Sequence, residues 1–143
     1  MNDEVIYYLE NFEITTDKQR LDIDVIHGFL QTSYWASERP REIIEKSIEN
    51  SICFGVYHES SQIGFARVIS DCAVFAYILD VFIIPEFRGQ SLGKWLMQCI
   101  LNHPQLQSIS RWQLATRDAH GLYTQYGFKP LANPEFAMEK RKA

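Results

Sequence analysis

Apolar and polar positions change period several times along the chain, and each change marks an element. Residues 12–16 alternate as a half-buried strand does. Asp17 then reads as a helix start, with Leu21, Val25, Ile26, Phe29 and Leu30 following at helical spacing. Tyr34-Trp35-Ala36-Ser37-Glu38-Arg39-Pro40 reads as a loop. Pro40 can open a second helix over Arg41–Glu49, with Ile43, Ile44 and Ile48 on its apolar side. Strands at 52–57 and 63–69 flank the polar turn Glu59-Ser60-Ser61-Gln62, which predicts a hairpin. A longer strand, 74–84, is rich in β-branched and aromatic residues and stops at Pro85. Leu92, Trp95, Leu96, Cys99 and Ile100 form one stripe of a helix over 92–102. Residues 112–115 predict a short strand. Asp118 reads as the N-cap of a short helix reaching 126, and Gly127 as its stop. Two final strands are expected at 128–131 and 136–139.

The strand, helix and strand within 74–115 predict a parallel pair with a right-handed crossover. The other strands would pair antiparallel. The expected architecture is therefore α/β (α+β): one domain over residues 1–143, a mostly antiparallel twisted sheet with a central parallel pair, and about four flanking helices.

Composition narrows the function classes. The chain has 143 residues, 46% hydrophobic and 22% charged, which suits one globular core. A formal net charge of −4 argues against a general nucleic-acid surface, though a few backbone N–H groups can still hold an anion locally. Cys53, Cys72 and Cys99 are odd in number and lack a C-x-x-C pair, so reduced, buried thiols are expected. His27, His58, His103 and His120 are scattered, and no metal site is predicted. Apolar runs such as 81–85 are too short to span a bilayer. The start Met1-Asn2-Asp3-Glu4 lacks signal-peptide character. A cytoplasmic protein with no membrane partner is the expectation.

The densest chemical signal is Ile83-Ile84-Pro85-Glu86-Phe87-Arg88-Gly89-Gln90-Ser91-Leu92-Gly93-Lys94-Trp95. A strand ends at proline, a polar turn follows, and an amphipathic helix starts at once. Such a turn aims free N–H groups and a positive helix end at one point, where a pyrophosphate fits. Gly89 and Gly93 would permit close approach. On the turn alone, an ordinary strand–turn–helix link is an equal alternative. A Walker A loop is excluded, because Gly89 and Gly93 enclose three residues and Trp95 stands where a hydroxyl is needed. The dinucleotide fingerprint Gly-x-Gly-x-x-Gly is absent.

Arg88-Gly89-Gln90-Ser91-Leu92-Gly93, after Ile83-Ile84-Pro85, resembles the R/Q-x-x-G-x-G/A motif of the GNAT superfamily of acetyl-CoA-dependent N-acetyltransferases. Ser91 departs from it by standing at the middle glycine, so its backbone must keep φ negative or bear strain. Downstream, Asp118-Ala119-His120-Gly121-Leu122-Tyr123-Thr124-Gln125-Tyr126-Gly127-Phe128 resembles the family pattern N/D-x-x-x-x-x-Y-x-x-x-G-F. The resemblance covers essentially the whole chain. It implies a cofactor site of Phe82, Ile83, Arg88, Gly89, Gln90, Ser91, Leu92, Gly93, Lys94, Asp118 and Tyr123. It also implies that Tyr123 protonates the departing CoA thiolate, where the alternative is a ring that only packs. Asp118 would cap its helix or touch CoA. His120 is a surface histidine before it is a base.

The implied reaction moves an acetyl group from acetyl-CoA to the primary amine of a small molecule or peptide. Amides near Phe82 and Ile83 would stabilise the oxyanion. A non-catalytic acyl-CoA-binding domain is the alternative, and a homodimer is an admissible assembly. No general base is legible. Strict alternation places Tyr77, Leu79, Val81 and Ile83 on one strand face, toward the substrate in relatives, and Ile78, Asp80 and Phe82 on the other. Tyr34, Trp35, Glu38 and Tyr77 are the substrate candidates, with Glu38 facing a cationic amine. Asp80 reads as a paired structural carboxylate before a functional one.

Overall fold

A computed structural model describes residues 4–142. Among these residues six strands form one sheet in chain order: β1 (Ile6–Leu9), β2 (Phe12–Thr15), β3 (Ile52–His58), β4 (Ser61–Ser70), β5 (Phe75–Ile83) and β6 (Arg111–Leu114). All neighbours pair antiparallel except β5 and β6. The parallel pair thus closes one end of the sheet instead of lying at its centre. Four helices accompany it: α1 (Ile23–Gln31), α2 (Arg41–Glu49), α3 (Leu92–Leu101) and α4 (His120–Thr124). No helix of the described residues is long and apolar enough to cross a membrane.

Local chemistry fixes the boundaries. The carboxylate of Asp22, not Asp17, starts α1 by accepting the N–H groups of Asp24 and Val25. Asp17 accepts the Gln19 N–H and opens only a 3-10 turn, Lys18–Arg20. The β3–β4 hairpin turns on Glu59 and Ser60, both at positive φ (48° and 77°), the geometry that matches strand twist in a two-residue loop. Asp118 caps nothing. Ala119 is the N-cap residue of α4, and its N–H goes to Thr116 Oγ1 at 3.0 Å. β1 escapes periodicity because three of its four side chains are exposed. The expected strands at 128–131 and 136–139 do not form. Among the described residues beyond α4 the one helical element is a 3-10 turn, Pro134–Phe136, with Phe136 and Met138 exposed.

The sheet has a core on each face. On one, Leu92, Leu96, Met97, Cys99 and Ile100 of α3 pack with Phe54, Val68, Ala76 and Ile78. On the other, Ile26 and Leu30 of α1 and Ile44 and Ile48 of α2 pack with Phe65 and Phe82. Each such side chain contributes roughly 1.5–3 kcal/mol by leaving water. Cys53 and Cys99 lie in these cores, and burial pushes both thiols up to about 12, so they are inert at neutral pH. Cys72 is exposed, unlike the buried thiol expected there.

One irregularity governs the site. The β4–β5 register jumps from Phe65–Phe82 to Arg67–Leu79, so β5 carries an extra residue. Within it Asp80 sits at φ 55°. The bulge inverts the alternation. Ala76, Ile78, Val81 and Ile83 join the α3 core, whereas Phe82 joins the α1–α2 core. Tyr77 and Leu79, paired with Ile69 and Arg67, therefore do not share a face with Val81 and Ile83.

Gly64 lies opposite Ile83 at this junction. A Cβ there would stand 2.7 Å from Ile83 Cδ1 and 2.9 Å from the Phe82 carbonyl oxygen. Because the second neighbour is backbone, Gly64→Ala is expected to destabilise by about 1–3 kcal/mol. Thermal unfolding should show Tm lowered by roughly 3–10 °C. An unchanged Tm would show that the junction yields freely.

Candidate active site

The β5–β6 ladder spans only Phe75–Ile78 against Arg111–Leu114. Beyond Ile78, β5 runs on to Ile83 while the other chain turns away through residues 115–119. The outer edge of β5 and that departing segment line one cleft of about 1380 Å³. The turn after β5, the start of α3, the loop after α1, and Tyr123 of α4 complete its walls.

At one end the backbone supplies the chemistry. Pro85–Phe87 form a 3-10 turn, and Arg88 Nε donates to the Ile83 carbonyl at 2.9 Å, tying the turn to the strand end. Gly89 follows at φ 84°, with open space where a Cβ would stand. Ser91 then takes the left-handed conformation, φ 64° and ψ 19°, and serves as N-cap of α3 without a side-chain capping bond. The strained alternative is thus the one adopted, at a cost of roughly 1–2 kcal/mol. Among the described residues, no amide of residues 89–94 meets a protein acceptor; the first helical bond to Ser91 comes from Trp95. Free amides, a bare Gly89 and the positive end of a ten-residue helix converge on the cleft. Arg88, Gly89, Ser91, Leu92, Gly93 and Lys94 all line it. Gln90 does not; it is exposed, and its side chain donates to the Phe87 carbonyl at 3.4 Å.

At the other end side chains dominate. Asp80 is 4% exposed, and one of its oxygens accepts from both Arg39 and Arg67 at 2.9 Å. Its second oxygen accepts from Trp35 Nε1, also at 2.9 Å. Arg67 extends the network to Ser51 Oγ at 3.0 Å. Asp80 is therefore the paired structural carboxylate, and it fastens the loop after α1 to the bulge. The Tyr34 hydroxyl accepts the Arg117 N–H at 3.1 Å, and the Arg117 guanidinium lies 3.8 Å from the Tyr34 ring centroid. Tyr34, Trp35 and Tyr77 line the cleft, whereas Glu38 is exposed and lies off its lining.

Phe82 and Ile83 lie on the β5 edge of the cleft. The Phe82 ring itself stacks on Phe29 of α1 at 4.0 Å, so it offers the cleft its backbone. Tyr123 reaches the cleft from α4 and is only 8% exposed. Burial holds its phenol above the ordinary value of 10.0, with smaller contributions from Tyr34 and Asp118. Asp118 also lines the cleft, unconstrained by helix capping, whereas His120 is exposed and off the lining. Sequence reasoning passed over Arg67, Ser51, Thr116 and Arg117. An arginine paired across strands or in a polar loop leaves no periodic signal. Among the described residues, no cluster of three or more His, Cys, Asp or Glu side chains is placed to hold a metal ion.

Known proteins share this arrangement. A crystal structure from Xanthomonas campestris, described as an acetyltransferase of the GNAT family, has 45% identity and a TM-score of 0.89 over 92% of this chain and 93% of its own. A Gibberella zeae protein named as an acetyltransferase is 31% identical over 136 residues, 79% of this chain and 76% of its length. A Gracilaria tenuistipitata protein named as an uncharacterized N-acetyltransferase is 35% identical over 96 residues, 63% of this chain and 53% of its own. A Clostridium acetobutylicum structure with acetyl-CoA shares the fold at 12% identity and a TM-score of 0.67, covering 92% and 95% of the two chains. The family profile "Acetyltransferase (GNAT) domain" matches residues 49–130, and on these likenesses the chain belongs to the GNAT acetyltransferases.

Proposed function

We propose that the protein transfers an acetyl group from acetyl-CoA directly to the primary amine of a small molecule or peptide, with both substrates bound together. The GNAT family uses acetyl-CoA as co-substrate, and the chain is an acyltransferase by membership. One observation carries the finer reading: the unpaired outer edge of β5, the free amides after it and a buried tyrosine line one cleft.

In this mechanism the amides of residues 89–94 hold the CoA diphosphate, with Arg88 and Lys94 adding charge. The pantetheine arm lies along the free edge of β5. Asp118 stands at the cofactor side of the cleft. The acceptor, with its amine pKa near ~10, loses a proton before attack. Its lone pair adds to the thioester carbonyl, and amides of the β5 edge, Phe82 and Ile83 among them, stabilise the oxyanion. The intermediate then expels the thiolate, Tyr123 gives it a proton, and the proton released by the new amide nitrogen passes through solvent to restore the phenol. A free phenol and thiol differ by roughly 1.5 pKa units, about 2 kcal/mol uphill. Burial raises both pKa values together, so a shared dry site does not widen that gap. The raised Tyr123 pKa keeps the donor protonated at neutral pH. We include a homodimer in the proposal. Among the described residues the outer edge of β6 has no strand beside it, and the tail beyond α4 exposes Phe136 and Met138.

Three outcomes follow. Tyr123→Phe should lower kcat about a hundredfold or more, with coenzyme A affinity by calorimetry nearly unchanged. The wild type should keep its proton-donor limb to above pH 10, because the phenol loses its proton later than a free tyrosine, and the variant should lack that limb. Equal kcat in both would remove Tyr123 from the chemistry, and tight CoA binding without turnover would favour a non-catalytic domain. Ser91→Val puts a β-branched residue in the left-handed region, so coenzyme A affinity should fall at least about tenfold, whereas Ser91→Gly should preserve it. Light scattering should give twice the chain mass, and Phe136→Asp with Met138→Asp should give the monomer; a monomeric wild type would refute the dimer.

A further inference from the structure

The protein is acidic overall, with a net charge of −4, yet its cleft is cationic. Arg88 and Lys94 stand at the phosphate end. The remaining charge lies near the loop after α1, on the proposed reading the acceptor's side. There Asp80 serves two guanidiniums with one carboxylate, so the cluster keeps one positive charge. Its accessible member is Arg39, whose side chain is 23% exposed, against 7% for Arg67. Arg39 spends one nitrogen on Asp80 and lines the cleft with its others free. Arg117 adds a second charge. Its guanidinium carbon lies 3.8 Å from the Tyr34 ring centroid, a cation–π contact. Among the described residues no carboxylate pairs with it. Arg141 also reaches the cleft but is paired with Glu139 at 3.1 Å. Among the described residues, the carboxylates in the cleft lining are Asp80, buried in its pairs, and Asp118, which has no ion pair.

On the reading that this cleft performs acetyl transfer, we propose that its acceptor is an amine that also carries a carboxylate or phosphate, held by Arg117 with help from Arg39. Planar guanidiniums match the paired oxygens of either group. The Asp80 cluster and Arg117 carry two positive charges against the one free carboxylate of the lining, Asp118, and that excess disfavours a polyamine or another purely cationic acceptor. Tyr34 holds Arg117 in place, so the anion meets a donor that is already oriented.

The test measures thiol release from acetyl-CoA with matched amines: O-phosphoethanolamine against ethanolamine, amino acids against their amides, amino-sugar phosphates against amino sugars. Spermidine and a lysine peptide are the cationic controls. The anionic member of at least one pair should have kcat/KM higher by roughly ten- to hundredfold. The phosphate and carboxylate arms decide which anion is used. Arg117→Gln should shrink that ratio toward one, and Arg117→Lys should restore part of it. Coenzyme A affinity by calorimetry should stay the same in both, because the proposed diphosphate contacts come from residues 88–94 and not from Arg117. Equal rates within every pair, a preference for spermidine or the peptide, or a ratio untouched by Arg117→Gln would overturn the anionic acceptor and leave acetyl transfer standing. No thiol release with any amine, despite intact coenzyme A binding, would overturn the transfer reading and this inference with it.

Discussion

A carboxylate buried at a strand bulge organises the molecule. Asp80 lies at φ 55°, a region that side chains other than glycine seldom occupy and that aspartate tolerates better than most. Burying its charge would cost several kcal/mol if it were alone. Two guanidiniums and an indole N–H supply that charge with three hydrogen bonds. The network therefore holds a backbone conformation that β5 would not otherwise keep. With the bulge in place, Phe82 swings to the α1–α2 core and stacks on Phe29, while Val81 and Ile83 stay with α3. The same residue fastens Trp35 and Arg39, so one ionic cluster sets the strand edge and the loop facing it.

The two ends of the cleft are built from different materials. The end at the turn after β5 is main chain: amides without acceptors, a bare Gly89 and a helix start. Main-chain donors depend little on side-chain identity, and Ser91 stands there with a left-handed backbone. The end at the loop after α1 is side chain: Tyr34, Trp35, Arg39 and Arg117 on two segments far apart in sequence. There a single substitution changes the lining without touching the turn.

This contrast explains what could be read from the sequence. The turn was legible because proline, arginine and glycine occur at spacings that backbone geometry demands. The amphipathic helices were legible for the same reason, since Leu92, Leu96 and Ile100 recur with the helical period. The bulge was not. A strict two-residue repeat runs through Asp80 in the sequence, and one extra residue silently exchanges the faces on either side of it. Tyr77 was thereby placed with Ile83. β1 was missed because its side chains are mostly exposed, and the final strands were overcalled because alternation in Phe136 and Met138 had no partner to pair with. Arg67 and Arg117 act through contacts with Asp80 and Tyr34, and no local pattern announces such pairings.

Coenzyme A is a polyanion, and this chain is itself negative, so the long-range field opposes the encounter. At physiological salt that field fades over about 8 Å. On the proposed reading, capture comes from groups within contact distance, in a cleft whose low-dielectric walls strengthen them. Oriented amides meet this need, because their partial charges are fixed by the fold and require no mobile side chain to order. The cations of the cleft act over the same short range, and they stand where the bulge and the turn hold them. A negative exterior and a positive cleft are therefore compatible in one small domain, provided the cleft is rigid. The buried Asp80 cluster supplies that rigidity at one end, and the tie between Arg88 and the Ile83 carbonyl supplies it at the other.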